Sequence, residues 1–246
     1  MQDSTSSTVV ITGASSGIGL ALAQAYLERG FNVVAGARTD ERLAAAAKQL
    51  GNPARFLGVA GDIGQRETAQ QLIDRAVQRF GHVDVLINNA GIFNAKPFIE
   101  YTEEELDQMV AMNLKGFVYA SQAAAKHIVA RRQGHIVNIT ASIALQPNQQ
   151  VPAALPVLIK SGINAATRAL ALELAPHNIK VNAVAPGIVD TPMHAPETHG
   201  FLAGLAPAGR IAKVREITDA VLYLTSADFT TGVVLPVDGG ASTGKW

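Results

Sequence analysis

The chain has 246 residues, 48% of them hydrophobic and 16% charged, with 20 lysine and arginine residues matched by 20 aspartate and glutamate residues. This length and composition predict one large domain with a buried core, and the zero net charge excludes a general nucleic-acid-binding or anionic-membrane surface. Because the chain has no cysteine, disulfides, thiol catalysis and thiolate metal sites are excluded.

Short apolar runs alternate with longer helical patterns along the chain. Residues 1–7 are polar and small, so we expect them to be flexible, and we expect a cytoplasmic protein with no membrane association. Predicted strands cover residues 8–12, 32–36, 54–59, 83–87, 135–140, 180–184 and 233–236. Predicted helices cover residues 17–29, 40–50, 65–80, 102–131, 157–175 and 214–225. Strands that are apolar throughout indicate a doubly wound parallel α/β sheet, forming a single domain over residues 1–246.

One long segment, residues 190–210, interrupts this alternation. It is rich in proline, glycine, histidine and alanine, and it follows a predicted strand. Ligands bind at the carboxyl edge of open α/β sheets, and long loops at that edge are commonly lids. We therefore expect a substrate loop here; the alternative is a mobile connector with no functional role.

The turn between the first strand and the first helix, residues 12–19, reads T-G-A-S-S-G-I-G. Glycines let the turn tighten and let the backbone approach a pyrophosphate, and the helix N-terminus offers unpaired N–H groups and a positive dipole end. The alternative is an ordinary glycine turn. Its position at the first strand–helix junction of a parallel fold favours dinucleotide binding.

This turn resembles the T-G-x-x-x-G-x-G motif of the short-chain dehydrogenase/reductase family. Further motifs of that family follow in order: N-N-A-G at 88–91, Asn113, Lys160, Pro186-Gly187, Thr191 and V-D-G-G at 237–240. The resemblance implies a Rossmann-like fold with strand order 3-2-1-4-5-6-7 and a nicotinamide cofactor. It also implies hydride transfer involving a small carbonyl or alcohol substrate.

The resemblance further implies which residues hold the cofactor. They are Gly13, Ser15, Ser16, Ile18, Gly19, Arg38, Thr39, Asp62, Ile63, Asn89, Ala90, Gly91, Lys160, Pro186, Gly187, Val189 and Thr191. In the family pattern Asp62 bonds the adenine amino group, Asn89 and Ala90 line the adenine ribose, and Thr191 meets the carboxamide. An aspartate capping the following helix is the alternative for Asp62.

The end of the second predicted strand bears on the choice of cofactor. An acidic residue there binds the ribose 2′-hydroxyl of NAD, but the sequence has Arg38 and Thr39 and no carboxylate before Asp40. An arginine can form forked, charge-assisted hydrogen bonds to a 2′-phosphate. We therefore favour NADP(H) over NAD(H); a solvated Arg38, or one stacked on adenine, is the alternative.

The catalytic pattern of the family is incomplete. Members use a serine, a tyrosine and a lysine, supported by an asparagine, with tyrosine and lysine in Y-x-x-x-K. Lys160 and Asn113 match, but Pro156 occupies the tyrosine position. The serine position falls on Ala141, between Thr140 and Ser142, and a shift of one residue would bring Ser142 into place. Asn113 can alternatively satisfy backbone groups where its helix bends.

Pro156 also constrains the helix that carries Lys160, because proline is tolerated only in a first helical turn. We expect the helix to begin near Pro156, leaving residues 146–155 as an irregular loop. Amide side chains would then rim the pocket: Gln146, Asn148, Gln149 and Gln150. Alternatively, Pro152 starts the helix and Pro156 kinks it.

Loss of the tyrosine costs about 10²- to 10⁴-fold in rate without abolishing hydride transfer. Activated carbonyls such as quinones and diketones then suit the site, because water or Lys160 itself can protonate their stable oxyanions. Lys160 can alternatively serve only to hold the cofactor ribose. A competing hypothesis is an NAD(P)-binding sensor or partner-stabilising subunit without turnover. Lyase or epimerase chemistry lacks an evident base.

Two further features concern the lid and the assembly. His194 and His199 lie in residues 190–210 and are either proton donors or solvated loop residues. The other histidines show no metal-ligand spacing, so we expect no metal site. The predicted helix at 157–175 is rich in alanine and leucine, and the family resemblance implies a homodimer or homotetramer through it. Its burial within one subunit is the alternative.

Overall fold

The computed structural model describes residues 6–244, which form one seven-stranded parallel sheet. The strands are β1 Thr8–Thr12, β2 Asn32–Ala37, β3 Phe56–Ala60, β4 Val85–Asn88, β5 Gly134–Ile139, β6 Ile179–Pro186 and β7 Val234–Val237. Their spatial order is β3-β2-β1-β4-β5-β6-β7, which confirms the order implied by the family resemblance.

Helices cover both faces of the sheet because the strand side chains alternate between two apolar cores. The helices are α1 Gly17–Glu28, α2 Asp40–Gln49, α3 Arg66–Phe80, α4 Glu103–Met109, α5 Gly116–Arg131, α6 Ala154–Leu174, α7 His199–Ala203 and α8 Val214–Ser226. Val9 and Ile11 of β1 face a core with α1, α2 and α8. Val10 faces the opposite core, which contains side chains of α3, α5 and α6.

The prediction of one regular helix over 102–131 was wrong in detail. A π-helical segment, Val110–Lys115, separates α4 from α5. Such a segment inserts extra backbone into a helix and commonly occurs at functional sites. Here it contains Asn113, whose buried amide bonds the backbone of Ile92 through both of its polar atoms.

The helix that carries Lys160 begins at Ala154, with Pro156 in its first turn. Val157 donates a backbone hydrogen bond to the Ala153 carbonyl, 2.9 Å away, so the helix continues past the proline without a break. Because proline lacks only an N–H that the first turn does not need, this position is unstrained. The prediction that the helix begins near Pro156 is confirmed. The prediction that the irregular loop covers residues 146–155 was wrong at its end, because the helix starts two residues before the proline and the loop ends at residue 153.

The predicted substrate loop and the N-terminal segment both contain ordered residues. Residues 190–210, the predicted substrate loop and called the lid below, contain a short 3₁₀ turn at Pro196–Thr198 and α7. At the N-terminus, the backbone carbonyls of Ser6 and Ser7 accept hydrogen bonds from Asn32, whereas positions 1–5 of the segment expected to be flexible lie outside the described residues. Among residues 6–244, no helix combines the length and apolar character needed to cross a membrane.

Candidate active site

A cleft of about 860 Å³ opens at the carboxyl edge of the sheet. All strands are parallel, so the loops that follow them converge at this edge. The predicted cofactor-binding residues line it, with the exception of Gly19 and Thr39; of the predicted catalytic residues, Ser142 and Lys160 line it and Asn113 does not. The structure therefore gathers most of the predicted site into one cavity.

The turn between β1 and α1 is shaped by its glycines. Gly13 and Gly17 have φ angles of 68° and 53°, in the region that favours glycine. A Cβ on Gly19 would lie 2.2 Å from the Gly13 carbonyl oxygen, so only glycine fits where helix and turn meet. Ser16, the residue before α1, makes no side-chain hydrogen bond to the helix start. The first N–H groups of α1 thus remain available for an anion, which suits a phosphate.

Thr12 and Asn89 hold this turn against the loop after β4. The Thr12 hydroxyl oxygen accepts hydrogen bonds from the backbone N–H groups of Asn89 and Ala90, each at 3.0 Å. The Asn89 side-chain amide donates to the carbonyls of Thr12 and Gly13, also at 3.0 Å. Its amide nitrogen therefore positions the turn, a role that sequence reasoning did not identify; contact of Asn89 with an adenine ribose stays a prediction.

The outer end of the cleft is basic. Arg38, exposed at the end of β2, lines it together with Arg42 from the first turn of α2. Sequence reasoning missed Arg42, although its position four residues after Arg38 and within the predicted helix was a usable signal. Thr39 is the N-cap of α2 and accepts a hydrogen bond from the Arg42 backbone N–H at 3.4 Å, so its side chain serves the helix.

Asp62 lines the cleft without capping α3. Its carboxylate accepts a hydrogen bond from the Gly64 N–H at 2.9 Å, and the N-cap of α3 is Gln65. The alternative of a helix-capping aspartate was therefore wrong, because the helix begins one turn further along the chain. The other carboxylate oxygen makes no hydrogen bond within the described part of the chain, so it can meet a donor in the cleft.

Lys160 is buried at the inner end of the cleft. Its Nζ donates a hydrogen bond to the Ile139 carbonyl oxygen, 2.8 Å away, which fixes the ammonium beside the end of β5. Burial lowers the pKa of Lys160 from 10.5 to about 8. The side chain is therefore largely protonated at pH 7 yet able to release a proton in the neutral range.

Behind Lys160 a small internal cavity of about 10 Å³ is lined by polar side chains of Asn88, Asn113 and Asn138. Its volume suits about one water molecule. The Asn88 carboxamide oxygen is buried without a protein partner among the described residues, although its nitrogen donates to Ser121 and Asn138. The cavity thus offers a water both an acceptor and a nearby ammonium.

The two candidates for the serine position differ in their contacts. Thr140 directs its hydroxyl to the Val184 carbonyl oxygen at 3.3 Å, within the sheet. Ser142 begins a 3₁₀ turn after β5, is buried and lines the cleft. Because the Thr140 donor is already used, Ser142 is the hydroxyl better able to orient a carbonyl in this cleft.

No tyrosine in the chain lines the cleft, and all four lie within residues 6–244. Tyr101 donates its hydroxyl proton to the Asn94 carbonyl oxygen at 2.6 Å, and Tyr26 pairs with Thr225 in the core. Pro156 is buried and does not line the cleft, whereas Val151 and Pro152 of the preceding loop do. The residue one turn before Lys160 therefore presents no hydroxyl group to the cleft.

The lid contributes His194 and several apolar side chains to the cleft. Burial, followed by the neighbouring charge of His199, lowers the pKa of His194, which favours its neutral form. His199 lies with Nε2 3.3 Å from the His194 carbonyl oxygen and 3.9 Å from an Asp190 carboxylate oxygen. It braces the lid from outside the cleft. Within the described part of the chain, no cluster of side chains suits a metal ion.

Comparison with known proteins gives matches along nearly the whole chain. The profile of the short chain dehydrogenase family matches residues 7–200. A 3-oxoacyl-(acyl-carrier-protein) reductase of Thermotoga maritima is 35% identical over 239 residues, covering 94% of this chain and 96% of the relative. The 2-dehydro-3-deoxy-D-gluconate 5-dehydrogenase of Escherichia coli is 35% identical over 244 residues, covering 94% and 93%.

Solved structures match equally well. ElxO with bound NADP superposes with a TM-score of 0.91 at 27% identity, covering 97% of this chain and 100% of that one. A 3-ketoacyl-(acyl-carrier-protein) reductase from Brucella melitensis, complexed with NADH, gives 0.90 at 30% identity, covering 96% and 98%. A tyrosine-to-phenylalanine variant of ElxO with bound NADPH gives 0.91 at 27% identity, with the same coverage as ElxO with NADP.

Proposed function

Because this chain belongs to the short chain dehydrogenase family, we propose that it is an NADP(H)-dependent oxidoreductase acting on activated carbonyls such as quinones and vicinal diketones. The observation that carries the proposal is the placement of Lys160. It is a buried ammonium in the same cleft as the phosphate-binding turn, with no tyrosine lining that cleft. Bound NADPH supplies a hydride from its nicotinamide ring.

The preference for NADP(H) rests on the basic outer end of the cleft. Arg38 and Arg42 line it, and no carboxylate follows β2 before Asp40, which is not part of the wall. Two guanidinium groups favour a 2′-phosphate, which a carboxylate would repel. Relatives with known structures bind either cofactor, since one was solved with NADP and another with NADH. Arg38 and Arg42 are therefore the residues that support this choice.

Arg38→Asp is expected to weaken NADPH binding by roughly 10- to 100-fold, because it replaces a charge-assisted partner of the 2′-phosphate with a like charge. NADH binding is expected to improve, since aspartate can accept from the 2′-hydroxyl. Isothermal titration calorimetry with both cofactors measures this switch. Arg75→Asp, an exposed position on α3 away from the cleft, is the matched control and is expected to change neither affinity. Tighter binding of NADH than of NADPH by the unaltered protein would contradict the preference.

The chemistry of the chain's own residues favours electron-poor carbonyls. Ser142 donates a hydrogen bond to the substrate oxygen, and Lys160 stabilises the negative charge that develops there. Lys160 or water would donate one proton to the oxygen of a carbonyl whose carbon had accepted the hydride, which would give an alcohol. Without a positioned phenol the barrier rises by roughly 3–5 kcal/mol, which substrates with stable oxyanions offset.

A substrate panel tests this proposal. NADPH consumption, followed by its absorbance, is expected with 2,3-butanedione and a benzoquinone but at least roughly 100-fold slower with cyclohexanone. The reason is that an electron-poor carbonyl needs less help from a general acid. Comparable rates for cyclohexanone and butanedione would refute the assignment of activated carbonyls.

The competing candidate is a cofactor-binding subunit without turnover, and the absence of a tyrosine from the cleft wall favours it. The ElxO variant that lacks a tyrosine and was solved with NADPH fits this candidate, because cofactor binding there accompanies the substitution. In the substrate panel the binder is identified by NADPH affinity with no consumption for any carbonyl.

The functional unit is proposed to be a homodimer or homotetramer. Leu158 and Leu172 of α6 are 69% and 80% exposed, an apolar outer face that a monomer would leave in water. Small residues along the same helix, such as Ala165 and Ala169, allow another helix to approach closely. Burial of these leucines against a second copy of the chain would remove their unfavourable exposure.

A further inference from the structure

The cleft has two ends of different chemistry. Its charged lining side chains Arg38, Arg42 and Asp62 follow β2 and β3, at the end that suits a nucleotide. Asp238 lies near the other end, but its two carboxylate oxygens accept from the N–H groups of Gly240 and Ser242 at 3.0 and 2.9 Å. Among residues 6–244, the lid end therefore offers no free carboxylate or guanidinium to a substrate.

The lid wall itself is apolar and partly uncovered. Met193 and Phe201 line the cleft, yet they are 57% and 61% exposed. Leu205, which follows α7, also lines the cleft and is buried. Large apolar side chains exposed at the mouth of a cleft mark a surface that an apolar ligand covers.

Apolar side chains from outside the lid also line the cleft. They are Ile143, Val151 and Pro152 from the segment between β5 and α6, with Phe93 from the loop after β4. The polar groups among them are the uncharged amides of Gln146, Asn148 and Gln150. His194, on the lid side, is held towards its neutral form by burial. Lys160 is thus the one cation facing this end of the cleft among residues 6–244.

From this arrangement, and resting on the function proposed above, we propose that the lid end binds an uncharged carbonyl compound carrying an apolar ring or chain. Met193 and Phe201 are its specificity-determining residues, because they cover the apolar body while Ser142 and Lys160 meet the carbonyl. Anionic substrates are disfavoured, since a carboxylate or phosphate would be desolvated without a guanidinium to pair with.

Three matched compounds distinguish the effect of substrate charge from the effect of an apolar ring. 1-Phenyl-1,2-propanedione is an uncharged aryl diketone. Phenylglyoxylate has a carboxylate in place of its acetyl group, and 2,3-butanedione lacks the ring. In calorimetric titrations of the full-length protein saturated with NADP⁺, the aryl diketone is expected to bind at least roughly tenfold more tightly than either of the others. Equal or tighter binding of phenylglyoxylate would overturn the proposal.

Variants test whether the lid is responsible for the tighter binding of the aryl diketone. Phe201→Ala is expected to weaken binding of the aryl diketone, and to raise its KM, roughly tenfold, while it changes the affinity for butanedione far less. Phe229→Ala, an exposed phenylalanine between α8 and β7 outside the cleft, is the control and is expected to change none of these. An unchanged affinity of Phe201→Ala for the aryl diketone would also overturn the proposal. Because calorimetry needs no turnover, absence of NADPH consumption would count against the proposed function alone.

Discussion

Lys160→Met is expected to lower kcat for diketone reduction by roughly 10²- to 10³-fold while leaving the folded state as stable as before or more so. The loss follows because the variant has neither the charge that stabilises the oxyanion nor a proton to give it. The gain follows because burial of the ammonium, which lowers its pKa from 10.5 to about 8, costs the folded state about 3 kcal/mol at pH 7. Loss of the hydrogen bond to the Ile139 carbonyl offsets part of that gain.

Both effects of Lys160→Met, the gain in stability and the loss of activity, depend on pH in a direction that follows from the pKa of Lys160. The pKa of Lys160 is lower in the folded protein than in the unfolded chain, so the folded state is penalised below about pH 8 and the penalty disappears above about pH 10.5. The stability advantage of Lys160→Met should therefore be largest below pH 8, as measured by urea unfolding at several pH values. The proposed mechanism requires the protonated amine. The kcat of the parent protein should therefore fall as the pH rises through about 8.

A control variant and a binding measurement together identify the role of Lys160. Lys48→Met, an exposed position at the end of α2, is expected to keep the parent's rate and pH profile. Calorimetric titration with NADP⁺ separates the alternatives for Lys160→Met: a residue that only holds the ribose would raise Kd while leaving the inflection near pH 8 in kcat. Persistence of that inflection in the methionine variant would contradict the proton role.

Gly19→Ala is expected to weaken NADPH binding by more than roughly 100-fold and to destabilise the fold by about 2–4 kcal/mol. An added Cβ would lie 2.2 Å from the Gly13 carbonyl oxygen and 2.6 Å from the Asn89 amide nitrogen. The turn must open, which breaks the hydrogen bonds from Asn89 that hold it and displaces the N–H groups that face a phosphate.

Gly162→Ala is the matched control, because Gly162 lies in helix α6 and a Cβ there meets nothing within 4 Å. Alanine has the better helix propensity, so this variant should be more stable by up to about 1 kcal/mol and bind NADPH normally. Urea unfolding and calorimetric titration measure both effects. If Gly19→Ala bound NADPH as tightly as Gly162→Ala, the assignment of the turn to cofactor phosphates would be wrong.

The sheet was largely predictable because its signals are local. Most strands are short, largely apolar runs, and the glycine turn after β1 has a recognisable spacing. Strand order came from the family resemblance. Strand ends were less accurate: β3 begins at Phe56 because the Phe56 N–H closes a turn onto the Pro53 carbonyl, a contact that apolar content does not reveal.

The features that were not predicted depend on contacts between distant segments. The π-helical segment at Val110–Lys115 has the same apolar periodicity as an ordinary helix, and its Asn113 finds its partner Ile92 in a separate loop. Asn89 likewise contacts the β1 turn, 77 residues from Thr12. The sequence showed that these side chains can form hydrogen bonds, but it did not show which backbone groups are their partners.

The same limit applies at Pro156. The sequence showed that a phenol is absent one turn before Lys160 and suggested that amide side chains rim the pocket instead. In the structure Pro156 is buried and does not line the cleft, whereas Val151 and Pro152 do. Which loop residues line the cleft depends on the path of residues 146–153, and that path is fixed by packing and not by local periodicity.

Deuterium transfer tests the central claim, hydride transfer in this cleft without a tyrosine, most directly. The protein is incubated with 2,3-butanedione and each of the two C4-deuterated diastereomers of NADPH, and the product alcohol is analysed by mass spectrometry. Deuterium is expected on the carbinol carbon from one diastereomer only, because a cofactor fixed in the cleft presents one face to the substrate. NADPH binding without deuterium in any alcohol product would contradict the account.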